Sequence, residues 1–345
     1  MRTLVERKHA RGALALGGAA LIVAALVACS GSGDDSSAAQ DVPRVGLMHV
    51  GTDHIPPSWP SLKGRLEELG WTDGRNIELM WRNLEPYAVA TQASVFLRQG
   101  VDVIVAFEDS SIGAAQAVTA GLPDPIPIVF LHPSDPVRDG LVESLSHPDR
   151  NLTGVYAARD EVDKQLELYQ LLVPRLHRVL TLVDPEDPRT ERLLPGYQAA
   201  AAQVPRPLEL DIREASSPQE LRRIFRSLRP GEVDGAFLLS PSLRLNHSAL
   251  TIRLAKRARL PVQAHRKEWV EQGALFSYGI DLPLIGQAGA RYVDSLLKGM
   301  APADLPVQEI SKIEFAINLE TAARLGIKVP QEMIIRADEV YRGGN

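Results

Sequence analysis

The stretch from residue 127 to residue 154 decides how the rest of the chain is interpreted, and it reads PIVFLHPSDPVRDGLVESLSHPDRNLTG. Its apolar run, Ile128 to Leu131, lies between two prolines and is typical of a buried parallel strand. About 20 residues without a helical or strand period follow, which is long for a loop inside one compact domain. We therefore predict a crossover between two lobes here, with a ligand cleft beside it.

The length and charge of the chain limit its fold and its partners. With 345 residues, the chain suits two α/β lobes better than one small domain. The formal net charge is -5 and no basic block occurs, so we do not expect nucleic acid as a partner.

Residues 1–28 have the features of a secretory signal peptide. A basic start precedes an apolar segment, Ala13 to Ala28, that is too short to span a membrane. The segment ends in Leu26-Val27-Ala28-Cys29, which resembles a bacterial lipobox and implies cleavage before Cys29 and lipidation of that cysteine. The alternative is an ordinary secretory signal followed by a chance cysteine.

Lipidation would anchor the protein to the bilayer of the bacterial cell envelope through Cys29, on the periplasmic side of a membrane or at the cell surface. Because Cys29 is the only cysteine, we expect no disulfide. Residues 29–42 are rich in Ser, Gly and Asp and are predicted to be a flexible tether.

Predicted strands and helices alternate from Arg44 to Leu131 and again from Glu161 to Ala264. This alternation predicts an α/β fold with two doubly wound parallel-sheet lobes joined by a hinge. The predicted bounds are 43–155 with about 280–305 for lobe 1, and 156–279 with about 306–340 for lobe 2.

Three predicted turns in lobe 1 are candidates for the ligand site, because ligands of such sheets bind at the carboxyl ends of strands. The first turn begins at His49, the second contains Asp109, Ser110 and Ser111, and the third ends at Asp135. Two hydroxyls and the backbone N–H groups of a helix N-terminus would suit a carboxylate or a phosphate. The alternatives are that both serines only cap the helix and that Asp135 accepts N–H groups of its own turn.

Two further candidates, Tyr278 and Asp281, lie at a turn before a predicted helix late in the chain. The Asp281 carboxylate could bind a ligand ammonium or serve as the N-cap of that helix. Tyr278 could stack on a ligand ring or pack at the hinge. Asp109 could bind an ammonium from lobe 1 or remain a solvated loop acid.

We predict that the protein is not an enzyme. His132, Ser134 and Asp135 are close in sequence, but a Ser-His-Asp site depends on geometry, and the chain has no Gly-x-Ser-x-Gly nucleophile elbow. The histidines lack the paired spacing of a zinc site, and neither a Gly-x-Gly-x-x-Gly nor a P-loop sequence occurs. We therefore expect no metal and no cofactor.

Several short motifs occur in order between Arg44 and Tyr341. They include LEELGW from Leu66, DGRNI from Asp73, DPV from Asp135, NLTG from Asn151, SYGID from Ser277 and FAIN from Phe315. Together they resemble the lipoprotein substrate-binding subunits of ABC transporters related to the tryptophan/tyrosine uptake protein. The resemblance implies a type I periplasmic-binding-protein-like fold, in which two lobes joined by crossing strands close on a small ligand without altering it chemically.

The chain departs from the pattern of that family at three places. Glu108 and Asp109 stand where small residues are usual, Ser240-Pro241-Ser242 fills a turn where amino-acid binders tend to carry an Asp, and Leu282 follows Asp281 where an aromatic is frequent. The resemblance predicts a lipid-anchored solute-binding subunit that passes a small polar ligand, such as an amino acid or a related carboxylate, to an ABC permease. The alternative is a lipid-anchored sensor that reports to a membrane receptor.

Overall fold

The computed structural model describes residues 42–50, 55–84, 89–133, 135–148, 150–157 and 162–343. The predicted signal peptide, Cys29 and Ser134 lie outside these residues, as does the predicted tether up to residue 41. No helix within the described ranges is both long enough and apolar enough to cross a membrane.

Helices and strands follow each other along the chain with the alternation that the sequence predicts from β1 to β4. The first elements are β1 (Arg44–Val50), α1 (Ser58–Glu68), β2 (Glu78–Leu84), α2 (Val89–Gln99), β3 (Val103–Phe107), α3 (Glu108–Thr119), β4 (Ile128–Leu131) and β5 (Leu152–Ala157). The chain continues with α4 (Val162–Leu172), β6 (Arg178–Val183), α5 (Pro188–Gln203), β7 (Glu209–Glu214), α6 (Pro218–Ser227), β8 (Gly235–Leu238), α7 (Pro241–Ala258), β9 (Gln263–Ala264), α8 (Lys267–Glu271) and β10 (Phe276–Ile280). It ends with α9 (Leu282–Leu297), a 3₁₀ helix (Pro302–Asp304), β11 (Gln308–Ile310), β12 (Ile313–Asn318), α10 (Leu319–Leu325), α11 (Gln331–Arg336) and β13 (Glu339–Tyr341).

The first lobe is built on a six-stranded sheet with the order β11-β5-β4-β3-β1-β2, and all of its strand pairs are parallel. Apolar clusters cover both faces of this sheet, and β3 and β4 are buried along their whole length. The helix α9 packs against α1, and a Cβ atom at Gly286 would lie 2.0 Å from the Ser58 carbonyl oxygen. Glycine at this position therefore permits the close approach of the two helices.

The second lobe contains β7-β6-β8 and β9-β10-β12-β13, connected by a parallel bridge between Ala236 and Val262. Val179 and Val183 of β6 face one apolar cluster and Leu180 and Leu182 face the other, as expected for a strand buried on both faces. The predicted class, α/β with two lobes, is confirmed.

One strand pair of the second lobe, β10 with β12, is antiparallel, so this sheet is not purely parallel. The physical reason is the path of the chain. β10 runs toward the first lobe, where α9 and β11 pack, and β12 enters the second lobe from that side, so it must run in the opposite direction.

The stretch that opened the sequence analysis does not cross between the lobes, so that prediction is wrong. Residues 132–151 connect β4 to β5, which pair in parallel within the first sheet. Prolines at positions 133, 136 and 148 disfavour a helix in this connection. The chain crosses to the second lobe after β5, returns after β10, and crosses again between β11 and β12.

Candidate ligand-binding site

A cleft of about 540 Å³ lies between the two lobes. The first lobe lines it at the carboxyl ends of β1, β3 and β4, and the second lobe lines it with α5, the start of α7 and the β9–α8 connection. The crossing segments contribute Ala157, Ile280 and Leu282. Parallel α/β sheets bind ligands at this end of their strands.

Glu108 joins two polar side chains on the first-lobe wall of the cleft. Its Oε2 atom lies 2.8 Å from Nδ1 of His49, and its Oε1 atom accepts a hydrogen bond of 2.7 Å from the Ser111 hydroxyl. The backbone of Glu108 has a φ of +57°, which residues other than Gly, Asn and Asp seldom adopt. Strain of this kind persists where surrounding contacts fix the residue, and it is concentrated at ligand sites.

His132 follows β4 and also has a left-handed backbone, with a φ of +62°. Its Nε2 atom lies 2.9 Å from Oγ of Ser58. Burial, together with the nearby charges of Arg266 and His49, lowers the pKa of the His132 imidazole to about 3. The ring is therefore neutral at physiological pH and adds no charge to the cleft.

Arg189 enters the cleft from the first turn of α5 and is held by Asp187. Its Nε and Nη2 atoms donate hydrogen bonds of 2.9 and 3.0 Å to the two carboxylate oxygens of Asp187. The same carboxylate caps α5 and accepts the Ser242 N–H at 2.8 Å. Burial would raise the pKa of Asp187, but the hydrogen bonds and the charge of Arg189, with the Ser242 N–H, outweigh it and hold this pKa below its usual value.

Arg244 lies in the first turn of α7, and two hydrogen bonds fix its guanidinium. Its Nε atom donates to the Leu238 carbonyl at 3.0 Å, and its Nη2 atom donates to the Tyr197 hydroxyl at 2.7 Å. Both partners belong to the second lobe, so the arginine is oriented before any ligand contacts it.

Arg192 and Arg138 lie where the lobes face each other. The Nη1 atom of Arg192, on α5, is 3.8 Å from a carboxylate oxygen of Asp139 on the first lobe. Arg138 lies beside the same aspartate, with its Nε atom 3.4 Å away. This pairing is a direct electrostatic contact between the two lobes.

Arg266 precedes α8, and its guanidinium carbon lies 5.6 Å from the centre of the Trp269 ring, in a cation–π contact. Burial lowers the pKa of Arg266, the charge of Arg244 acts in the same direction, and only Glu268 raises it. The arginine and the indole together form a charged and apolar corner of the cleft.

A hydroxyl network below the cleft explains the Ser240-Pro241-Ser242 turn. Ser240 Oγ accepts the backbone N–H of Asp184 at 2.7 Å, and the hydroxyls of Ser216 and Ser242 donate to the Asp184 carboxylate at 2.6 and 2.7 Å. These bonds connect the turns that follow β6, β7 and β8, so the hydroxyls support α5 and α7 from behind.

Of the residues that the sequence analysis selected, His49 lines the cleft and Ser111 reaches its wall through Glu108. Ser110 is exposed on α3, and Asp109 lies beside it in the first turn, outside the lining. Asp135 accepts the Arg138 N–H at 3.0 Å, which is a bond within its own turn.

The two late candidates also have structural partners. Asp281 is buried and caps α9, since its Oδ1 atom accepts the Leu284 N–H at 3.2 Å, and its Oδ2 atom is 2.9 Å from the Lys312 ammonium. Tyr278 packs against Phe315 with ring centres 6.2 Å apart. Neither side chain lines the cleft.

Sequence reasoning missed the residues of the second lobe, above all Arg189, Arg244, Arg266 and Trp269. Each lies shortly after the carboxyl end of a strand, namely β6, β8 and β9. The rule that selected the turns of the first lobe would have selected these turns as well, because both sheets face the same cleft.

Residues 59–341 match the sequence model of a family described as ABC transporter substrate binding protein. The chain belongs to this family. The resemblance stated from the motifs is thereby confirmed, and with it the expectation that this substrate-binding protein is not an enzyme.

Relatives and solved structures agree with this assignment. The substrate-binding protein is 27% identical to a tyrosine-binding protein of Clostridioides difficile (strain R20291). The alignment spans 265 residues and covers 76% of this chain and 74% of the relative. A conserved domain protein from Vibrio cholerae O1 biovar El Tor superposes with a TM-score of 0.75 at 25% identity, over 87% of this chain and 99% of that chain. A Streptococcus pneumoniae ABC domain in complex with L-Trp superposes with a TM-score of 0.73 at 23% identity, over the same shares.

Proposed function

We propose that the protein is the extracytoplasmic solute-binding subunit of an ABC uptake transporter, anchored by lipid at Cys29, and that it captures a small carboxylate-bearing solute between its lobes. The observation that carries this proposal is the cleft of about 540 Å³ whose walls come from both lobes. Its volume lies in the range typical of small-molecule sites. The same arrangement supports lobe boundaries near residues 155 and 280, as predicted, and the pairing of β11 with β5 favours a last boundary near residue 310 rather than the predicted 305.

The arginines of the cleft support a carboxylate as the group that is recognised. A guanidinium presents two parallel N–H donors that match the two oxygens of a carboxylate. Arg244 and Arg189 are already oriented by neighbouring residues, so little side-chain entropy is lost when a ligand binds. A relative named for tyrosine binding and a similar fold bound to L-Trp agree with a solute of this size that carries a carboxylate.

Transport requires the bound state to differ from the free state in a way that a permease can recognise. A solute that contacts both walls favours the arrangement in which the lobes are close, since only that arrangement makes all of the contacts. The closed arrangement would then present a surface from both lobes to the permease.

Anchoring at Cys29 is supported by the lipobox-like sequence Leu26-Val27-Ala28-Cys29. In a bacterial host, we expect labelled palmitate to be incorporated into the protein and lost in Cys29→Ala. Recovery of the unaltered protein without lipid in the soluble fraction would contradict the anchor and leave solute binding untouched.

A thermal-shift screen of the purified protein tests solute capture. The panel contains the standard amino acids and small organic acids, each at several concentrations. A solute that binds the folded state raises the melting temperature with concentration, because binding adds about 2.7 kcal/mol of stability at 100 times Kd. The matched variant Arg244→Gln should lose this shift. A panel that produced no concentration-dependent shift would contradict the proposed function.

A further inference from the structure

The charges that line the cleft are strongly unequal, and this inequality bears on the chemical class of the solute. Among the described residues, the lining contains one carboxylate, Glu108, and five guanidinium groups. The arginines are Arg138, Arg189, Arg192, Arg244 and Arg266. Some of this charge is balanced by aspartates behind the lining, as Asp187 does for Arg189.

Arg266 is the cation with the least compensation. No carboxylate in the described part of the chain lies within ion-pair distance of its guanidinium, whose remaining contact is the face of Trp269. Its charged neighbours on its own lobe are Glu268, which lies beyond ion-pair distance, and Arg244, and its charge also reaches His132 across the cleft. A largely buried cation without a carboxylate in contact is costly, and a ligand carboxylate would supply the missing partner.

Among the described lining residues, the one acidic group that could receive a ligand ammonium is already bound within its own lobe. Both carboxylate oxygens of Glu108 have protein partners, namely the Ser111 hydroxyl at 2.7 Å and Nδ1 of His49 at 2.8 Å. An ammonium placed in the cleft would have to compete with these contacts and would also face the arginines of the second lobe. Like charges in a desolvated site disfavour binding.

Besides His49, His132, His265 and Tyr197, the rest of the lining is mostly apolar and comes from both lobes. Phe107 lies on the first-lobe wall, and Leu193, Leu245 and Trp269 lie on the second-lobe wall. These four side chains can bury a hydrocarbon or aromatic skeleton but offer no carboxylate that could pair with a ligand ammonium.

We propose that the solute is an organic anion that carries a carboxylate and no ammonium group, with its carboxylate bound by Arg266 and Arg244 and its skeleton against Trp269 and Phe107. This inference rests on the proposed function and narrows its ligand class. It distinguishes the protein from a binder of zwitterionic amino acids.

Calorimetric titration of the purified protein with two matched pairs of probes tests the inference. The pairs are L-tyrosine with 3-(4-hydroxyphenyl)propionate, and L-tryptophan with indole-3-propionate. The members of each pair share a ring and a carboxylate and differ in the α-ammonium. We expect the ammonium-free member to bind at least about tenfold more tightly, because the cleft repels a cation.

Variants assign the effect to Arg266. Arg266→Gln should weaken the ammonium-free probe roughly 10- to 100-fold, as expected for a charged hydrogen bond. Arg257→Gln removes the same charge from an exposed position of α7 and should change the affinity by less than about twofold. The melting curve of each variant shows that it is folded.

The outcomes separate the inference from the proposed function. Tighter binding of the amino acids than of their ammonium-free partners would overturn the inference and leave solute capture standing. An unchanged affinity in folded Arg266→Gln would overturn the assignment of the carboxylate to Arg266. If none of the four probes and no acid of the wider panel bound, the proposed function would fall together with the inference.

Discussion

Glu108 and His132 are placed in the cleft by backbone conformations that their own side chains disfavour. A left-handed conformation costs a residue with a Cβ atom about 1–2 kcal/mol. Both residues have a positive φ, and both are fixed by partners elsewhere in the first lobe, Glu108 by His49 and His132 by Ser58. The local strain is therefore offset by contacts at the site, which fixes the direction of both side chains.

The buried imidazole of His132 should make stability depend on pH. Its pKa is about 3 in the folded protein, against an ordinary value of 6.5. Between these values the unfolded chain binds one proton more than the folded protein. Above about pH 6.5 this proton does not affect the free energy of unfolding, and as the pH falls toward 3 the free energy of unfolding decreases by up to about 1.4 kcal/mol per pH unit.

The variant His132→Asn removes the titrating group while keeping a residue that tolerates positive φ. We expect urea unfolding at pH values from about 4.5 to 7.5 to show a steeper loss of stability in the unaltered protein than in the variant. Parallel pH profiles for the two proteins would show that the proton on His132 has no part in stability.

At the scale of helices and strands, sequence patterns predicted the elements that depend on local burial. The apolar runs of β3 and β4 are buried throughout, and the small residues of α9 permit its contact with α1. The path of residues 132–151 was not predictable in this way. A proline-rich connection has the same local pattern whether it joins two lobes or two strands of one sheet, because strand pairing is decided by distant residues.

Asp281 allows the two roles left open by the sequence to be separated. Because Asp281 is the N-cap of α9, Asp281→Ala should destabilise the protein by about 1 kcal/mol. Asp281→Asn should retain most of the stability, because Asn also caps helices. We expect the affinity for the solute to be unchanged in both variants, measured by titration beside urea unfolding. A loss of affinity in Asp281→Asn with stability preserved would instead assign the carboxylate to the ligand.

The contact between α1 and α9 can be tested at Gly286. A Cβ atom there would lie 2.0 Å from the Ser58 carbonyl, so Gly286→Ala should separate the helices and cost about 1–3 kcal/mol or more. Gly64, on α1, is the matched control, since its added Cβ would contact no atom within 4 Å, and Gly64→Ala should stabilise the helix by up to about 1 kcal/mol. Equal urea midpoints for the two variants would contradict the close packing.

At the scale of the whole molecule, the site was harder to predict than the fold, because it exists only where the lobes meet. His49 could be selected since it follows a predicted strand. Arg244 and Arg266 also follow strands, but the sequence alone does not show that their turns face the first lobe rather than solvent. Their significance depends on the second lobe facing the first, which is a property of the assembled chain.

The ion pair between Asp139 and Arg192 joins the lobes at the cleft, so it should contribute to the closed arrangement. In Asp139→Arg, a cation would face both Arg192 and Arg138, and the lobes should separate. Because both partners of the pair are partly exposed, the expected effect is at most about 1 kcal/mol, or roughly a fivefold weaker affinity for the solute.

Small-angle scattering should report a larger radius of gyration for Asp139→Arg, and titration should report the weaker affinity. The control is Glu67→Arg, which makes the same change of charge at an exposed position of α1 away from the cleft. If both variants shifted affinity equally, the effect would come from net charge, and the pair would have no role in closure. A change confined to Asp139→Arg would instead connect the approach of the lobes to the retention of the solute, because the substitution alters a contact between lobes and replaces no residue that lines the cleft.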